Sequence, residues 1–173
     1  MEKDASLCRI HINTGEIEKL DIEGNIVDYF VSDGFLYYVK WPVEGINKMN
    51  PETKESKLII ENPNDTYQPY IFSFLVDEDY IYYENAHYWM INKEEYEKEC
   101  RIYNKEGEFI DVISFNDNKT VNEIVMGING NKLVVPWREV TKEGQMTGYY
   151  GFDKSLIGTG KLVWEPVIPL YLE

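Results

Sequence analysis

The chain is poor in the residues that most often announce chemistry. Its 173 residues include two cysteines and two histidines, and 17 lysines and arginines stand against 31 aspartates and glutamates. A net charge of −14 leaves no cationic footprint to displace phosphate counterions, which sets nucleic-acid binding aside. It also disfavours anionic membrane surfaces and favours solubility. Apolar runs are everywhere shorter than the roughly 18 residues that span a bilayer. The opening MEKDASLCRI lacks the basic and apolar regions of a signal peptide, so the chain as written reads as soluble and untargeted.

Other absences narrow the chemistry. His11 and His87 lie far apart in sequence, with no ligand spacing that suits zinc. There is no D-x-D-x-D-G calcium loop, and Asp77–Asp79 fit a hairpin turn better. No G-x-S-x-G elbow occurs. The GTG at 158–160 is too short for a phosphate loop and reads as a turn into the last strand. No metal or cofactor is expected.

What the chain does have is aromatic residues and repetition. Fourteen tyrosines and four tryptophans favour strands over helices. CRIHINTGE (8–16) and CRIYNKEGE (100–108) share five of nine residues at an offset of 92 positions. A third copy, INKMNPETKESKLI (46–59), aligns Lys48 with Arg9, Met49 with Ile10 and Glu55 with Glu16. Each copy reads as strand, tight turn, strand. Gly15 and Gly107 suit left-handed turn positions, and Pro51 suits the second place of a type I turn. Cys8 and Cys100 hold the same place in two copies, so they are expected to lie beyond disulfide reach as two small buried hydrophobes.

A second element alternates with the first: IVDYFVSDGFLYYVKW (26–41), YIFSFLVDEDYIYYEN (70–85) and NEIVMGINGNKLVVPW (122–137). In each, a polar turn joins two apolar strands, and Asp33-Gly34 carries the type I′ hairpin signal. Phe35, Tyr37 and Val39 point one way, Leu36 and Tyr38 the other. Apolar residues on both faces predict sheets stacked face to face.

Four strands per forty-odd residues is the arithmetic of β-propeller blades. The spacing predicts an all-β chain of about fourteen strands: a half blade at 6–23, then blades at 26–61, 69–115 and 121–167. The second full blade carries an insertion at 86–99, whose Asn92 is positioned to cap a short helix. A ring of three and a half blades is incomplete. The expectation is a portion of a longer propeller, with closure by a second copy as the alternative.

The stretch VSDGFLYYVKWPVEGINKMNPETKESKLI resembles the repeat of YWTD-type propellers, known from lipoprotein-receptor ectodomains and from bacterial relatives. Tyr37-Tyr38 and Tyr82-Tyr83 stand at the family's aromatic pair, and Val134-Val135 replaces it in the third copy. Val39-Lys40 and Glu84-Asn85 stand where the family has Thr-Asp. The resemblance spans about residues 7–165. It implies a propeller fold and an exported bacterial parent.

The candidate ligand-binding residues are His87, Tyr88 and Trp89 in the insertion, with Trp41 and Trp137 closing two equivalent strands. Aromatic side chains on a long loop of a rigid scaffold can stack on a sugar or a peptide. They point to a non-enzymatic binding or scaffold module for a protein, peptide or glycan. The alternative is a carbohydrate-acting hydrolase with carboxylates at the channel mouth, Asp28 and Glu123 being the candidates. Structural packing of the same aromatics is the competing account.

Overall fold

The computed structural model describes residues 7–41, 44–61, 74–85, 98–115, 127–141, 144–163 and 165–167. These residues form strands β1 (Cys8–Ile10), β2 (Ile17–Lys19), β3 (Asn25–Ser32), β4 (Phe35–Trp41), β5 (Gly45–Met49) and β6 (Ser56–Glu61). They continue with β7 (Phe74–Val76), β8 (Tyr80–Asn85), β9 (Lys98–Asn104), β10 (Phe109–Phe115), β11 (Gly127–Asn129), β12 (Lys132–Thr141), β13 (Gly144–Asp153) and β14 (Glu165–Val167). One 3₁₀ turn, Lys154–Leu156, follows β13. No helix among the described residues is long and apolar enough to cross a membrane.

Among the described residues, strands pair only with their chain neighbours. A two-stranded hairpin, β1–β2, precedes three antiparallel four-stranded sheets: β3 to β6, β7 to β10 and β11 to β14, here called sheets I, II and III. The reason is local. Turn residues recur between short β-rich runs, and antiparallel neighbours joined by tight turns form with little loop-closure cost. Asp33 (φ 51°) and Gly34 (φ 76°) both occupy the left-handed region between β3 and β4, as the type I′ reading predicts.

The sheets stack in chain order, each with a rear face toward its predecessor and a forward face toward its successor. On the rear face of sheet I, Leu36, Tyr38 and Met49 pack with Leu20 of the hairpin. Tyr37, Val39 and Ile46 on the forward face meet Phe74, Ile81, Tyr83 and Tyr103 of sheet II. Tyr82, Cys100 and Ile102 then meet Leu133 and Phe152 of sheet III. The alternation read along FLYYVKW is thus the alternation of two interfaces. Each fully buried aromatic contributes about 2–3 kcal/mol, so these interfaces dominate the stability of the stack.

Polar devices recur between sheets. Arg9 on β1 pairs with Glu52 in the β5–β6 turn at 2.5 Å, and Lys48 on β5 pairs with Glu106 in the β9–β10 turn at 2.8 Å. This cation position, shared by the first two copies of the repeat, reaches forward to the next turn. The left-handed residue of a turn also rests on the preceding sheet. Gly107 (φ 88°) sits so close to Ile59 that a Cβ would lie 2.0 Å from its carbonyl oxygen. Gly158 donates its N–H to Asp111 at 2.9 Å.

Four expectations are corrected. Cys8 is exposed and Cys100 buried, although they match in sequence. The His11–Glu16 turn closes four residues, and Asn104–Glu108 closes three. That difference of one residue puts Cys8 on the rear face and Cys100 on the forward face, because a one-residue slip exchanges the faces of a strand. Trp137 does not end its strand, since β12 continues to Thr141 and turns directly into β13 at Gly144. The β-branched Val140 and Thr141 extend the ladder there. The last strand, expected over Gly160–Val167, is only Glu165–Val167, and Leu162 packs against the core cluster of sheets II and III instead. The insertion ends before Lys98, where β9 begins, so Lys98 and Glu99 are strand and not helix; Asn92 lies outside the described residues.

Candidate functional site

The predicted aromatic cluster is met only at its edges. His87, Tyr88 and Trp89 lie outside the described residues, which resume after Asn85 at Lys98, where Asn85 pairs with Glu99. Trp41 ends β4 opposite Asn25 and is exposed. Trp137 sits opposite Gly148 in the β12–β13 ladder. Both strands run toward the end of their sheets that carries the β4–β5 and β12–β13 connections, and β8 runs toward the corresponding end of sheet II.

Of the two carboxylates considered for hydrolysis, Glu123 lies outside the described residues. Asp28 sits at a register shift in β3 and accepts the Tyr29 N–H at 2.8 Å. Burial raises its carboxyl above the ordinary range, with N–H donors from Tyr29 and Phe74 opposing. It faces β7, the edge strand of sheet II, where Phe30 meets Phe74 edge to face at 5.1 Å. That is a packed contact between sheets I and II.

The turns at the opposite end of the sheets hold a buried ion pair. Lys154 places its ammonium 2.5 Å from Asp77, with only 10% and 6% of the two side chains exposed. Burial alone would raise the Asp77 carboxyl. Hydrogen bonds from Lys154, from the Tyr80 and Asp79 N–H groups and from the Tyr82 hydroxyl outweigh it and hold the carboxyl below its ordinary value. Tyr82 is pushed up, first by burial and then by the Asp77 charge. Ser32 of sheet I donates to the Asp77 carbonyl at 3.0 Å, so one turn joins three sheets. These bonds converge on one turn and tie the three sheets together there.

A cleft of about 290 Å³ lies between the hairpin and the rear face of sheet I, lined by Asp21, Glu23, Tyr38, Lys40, Asn47 and Ser56 among others. Tyr38 and Ser56 share a hydroxyl–hydroxyl contact of 2.7 Å in its lining. Lys54 closes the hairpin side with ion pairs to Glu18 at 3.1 Å and Asp21 at 3.9 Å. The bond from Lys54, then that from Arg9, holds the Glu18 carboxyl below its ordinary value. Buried Asn47 leaves its side-chain nitrogen with no hydrogen-bond partner among the described residues. Asn47 and Lys48 stand between Ile46 and Met49, and only Lys48 finds an ionic partner, in the next turn. No cluster of three or more His, Cys, Asp or Glu that could hold a metal ion occurs among the described residues. No family model matches the chain, and no curated protein matches it in sequence.

Proposed function

We propose that this chain is part of a β-propeller of the YWTD-like kind, serving as a binding or scaffold module for a protein, peptide or glycan. The observation that carries the reading is the run of three sequential four-stranded sheets of one strand order, preceded by a half-sheet and packed face to face. Such units bury their faces only against their neighbours, which is the logic of blades around an axis. The ligand surface is the end of the sheets where Trp41 is exposed and from which the 86–97 segment departs, carrying His87, Tyr88 and Trp89. Aromatic residues carried on a scaffold of stacked sheets suit stacking on a sugar or insertion into a peptide groove.

The test has two parts. A crystal structure should show successive sheets rotated about one axis; a straight stack would remove the propeller reading. Screening on glycan and peptide arrays should then find a ligand that the H87A/Y88A/W89A variant and Trp41→Ala both weaken at unchanged melting temperature. Binding untouched by all four substitutions would displace the site.

A further inference from the structure

Asn47 is only 7% exposed, yet its side-chain nitrogen has no hydrogen-bond partner among the described residues. A buried amide N–H is normally paired, and leaving it unpaired is costly. Its register opposite Tyr38 turns it to the rear face of sheet I, into the cleft of about 290 Å³. An apolar residue of the same shape would suit packing beside Tyr38 and Met49 better, so the amide calls for a different reason. The cleft around it offers further polar groups. Tyr38 and Ser56 meet hydroxyl to hydroxyl at 2.7 Å, which uses one of their two hydrogens and leaves the other as a donor. Asp21 and Glu23 line the cleft as acceptors, and Lys40 as a cation. Lys54 is already held by Glu18 and Asp21. Two carboxylates and two ammoniums leave the lining without net charge, in a chain of net charge −14. Met49 and the Tyr38 ring add apolar surface.

We propose that this cleft binds a small neutral polyhydroxylated molecule, a monosaccharide or similar polyol, with Asn47 donating to a ligand hydroxyl. A hydroxyl both accepts and donates, so one ligand can take the Asn47 N–H and give a hydrogen to Asp21 or Glu23. The C–H face of a sugar ring suits the apolar surface of Tyr38 and Met49, an apolar lining with a few placed polar groups being the usual make-up of a ligand site. An anionic ligand meets the negative field of the chain and must compete with Glu18 and Asp21 for Lys54. The volume sits at the lower limit of ligand pockets, roughly 300–1,000 Å³, which suits one ring and not an oligosaccharide. The lining comes from segments 21–23, 38–40, 47–49 and 54–56. None of them includes the aromatic residues considered above, so the inference goes beyond that reading and does not rest on it.

The experiment is saturation-transfer difference NMR on the full chain, with D-glucose, D-galactose, D-mannose, glycerol and glycine as probes. Wild type is read against Asn47→Leu and Glu23→Gln. The expected result is millimolar binding of at least one sugar or of glycerol. Asn47→Leu should weaken it about tenfold or more, since a ligand hydroxyl is left without its donor. Glu23 is exposed, so Glu23→Gln keeps the fold and should weaken the same ligand several-fold. Thermal melts accompany both variants. Asn47→Leu should lose binding at an unchanged or raised melting temperature, because it removes an unpaired buried amide; a purely structural asparagine would not behave in this way. Failure of every sugar and of glycerol to bind overturns the proposal. So does binding that both substitutions leave unchanged, which would place the ligand elsewhere. Binding of glycine alone overturns it too, by making the cleft a site for a zwitterion.

Discussion

Lys105 of sheet II reaches back to sheet I, donating to the Ser32 hydroxyl at 2.7 Å and to Asp33 at 3.1 Å. One sheet later Lys154 reaches back to Asp77 and Asp79 in the equivalent turn. The same lysine position thus ties sheets II and III to their predecessors, but the two ties differ in burial. Asp33 remains largely exposed, and Asp77 does not. Exposed pairs contribute little, whereas a buried charge that loses its partner is costly.

Lys154→Ala should therefore destabilise the fold by about 3 kcal/mol or more, since it leaves the Asp77 carboxylate buried without its cation. Lys105→Ala should cost about 1 kcal/mol or less. Urea denaturation of the two variants measures the ratio. Equal losses would show that the Asp77 turn is wetter than its geometry indicates.

Stability should fall at both ends of the pH scale, through different residues. The Asp77 carboxyl is held below its ordinary value in the fold. Its contribution is present above the unfolded value near 4 and disappears as pH drops through the folded one. Tyr82 is raised in the fold, so the unfolded chain gives up that proton first and stability declines as pH rises beyond about 10. Asp77→Asn should flatten the acid limb of a melting-temperature profile, and Tyr82→Phe the alkaline limb. A wild-type profile left unchanged by both substitutions would mean that other groups govern it.

Gly107 and Gly15 separate two costs that usually occur together. Both have positive φ, 88° and 71°, but a Cβ at Gly15 meets nothing within 4 Å and one at Gly107 meets the Ile59 backbone. Gly15→Ala should cost about 1 kcal/mol from backbone strain alone. Gly107→Ala should cost about twice that or more, because the turn must move off sheet I. Gly107→Val should be at least as harmful. Thermal unfolding of the pair decides; a smaller loss at Gly107 would contradict the close approach.

The cysteines report the strand phase directly. Cys8 should react with a thiol reagent in the native protein, and Cys100 only after unfolding, because Cys100 is 0% exposed. Titration before and after adding guanidinium should read one thiol and then two. Two native thiols would place Cys100 on an open face.

Much of the fold was legible because its determinants are local. Asp33-Gly34 dictates its own turn, and the unbroken apolar run FLYYVKW reports that both faces of β4 are covered. The all-β class, the strand neighbours and the face-to-face stacking follow from such signals. The polar sites between the sheets were not legible in the same way. Asn47 matters through the cleft that the hairpin makes against sheet I, and Asp77 through a lysine that lies 77 residues further on. Neither pairing leaves a mark in the residues around it.

The sequence by itself determined which segments become strands and which turns join them, since hydrogen-bond ladders between chain neighbours depend on short-range patterns. Only the tertiary structure decided which face each residue serves. CRIHINTGE and CRIYNKEGE share five residues, yet one residue less in the second turn sends Cys100 into the core and leaves Cys8 outside. A strand alternates its faces every residue, so orientation depends on where the turn closes, and that is settled by packing against the neighbouring sheet.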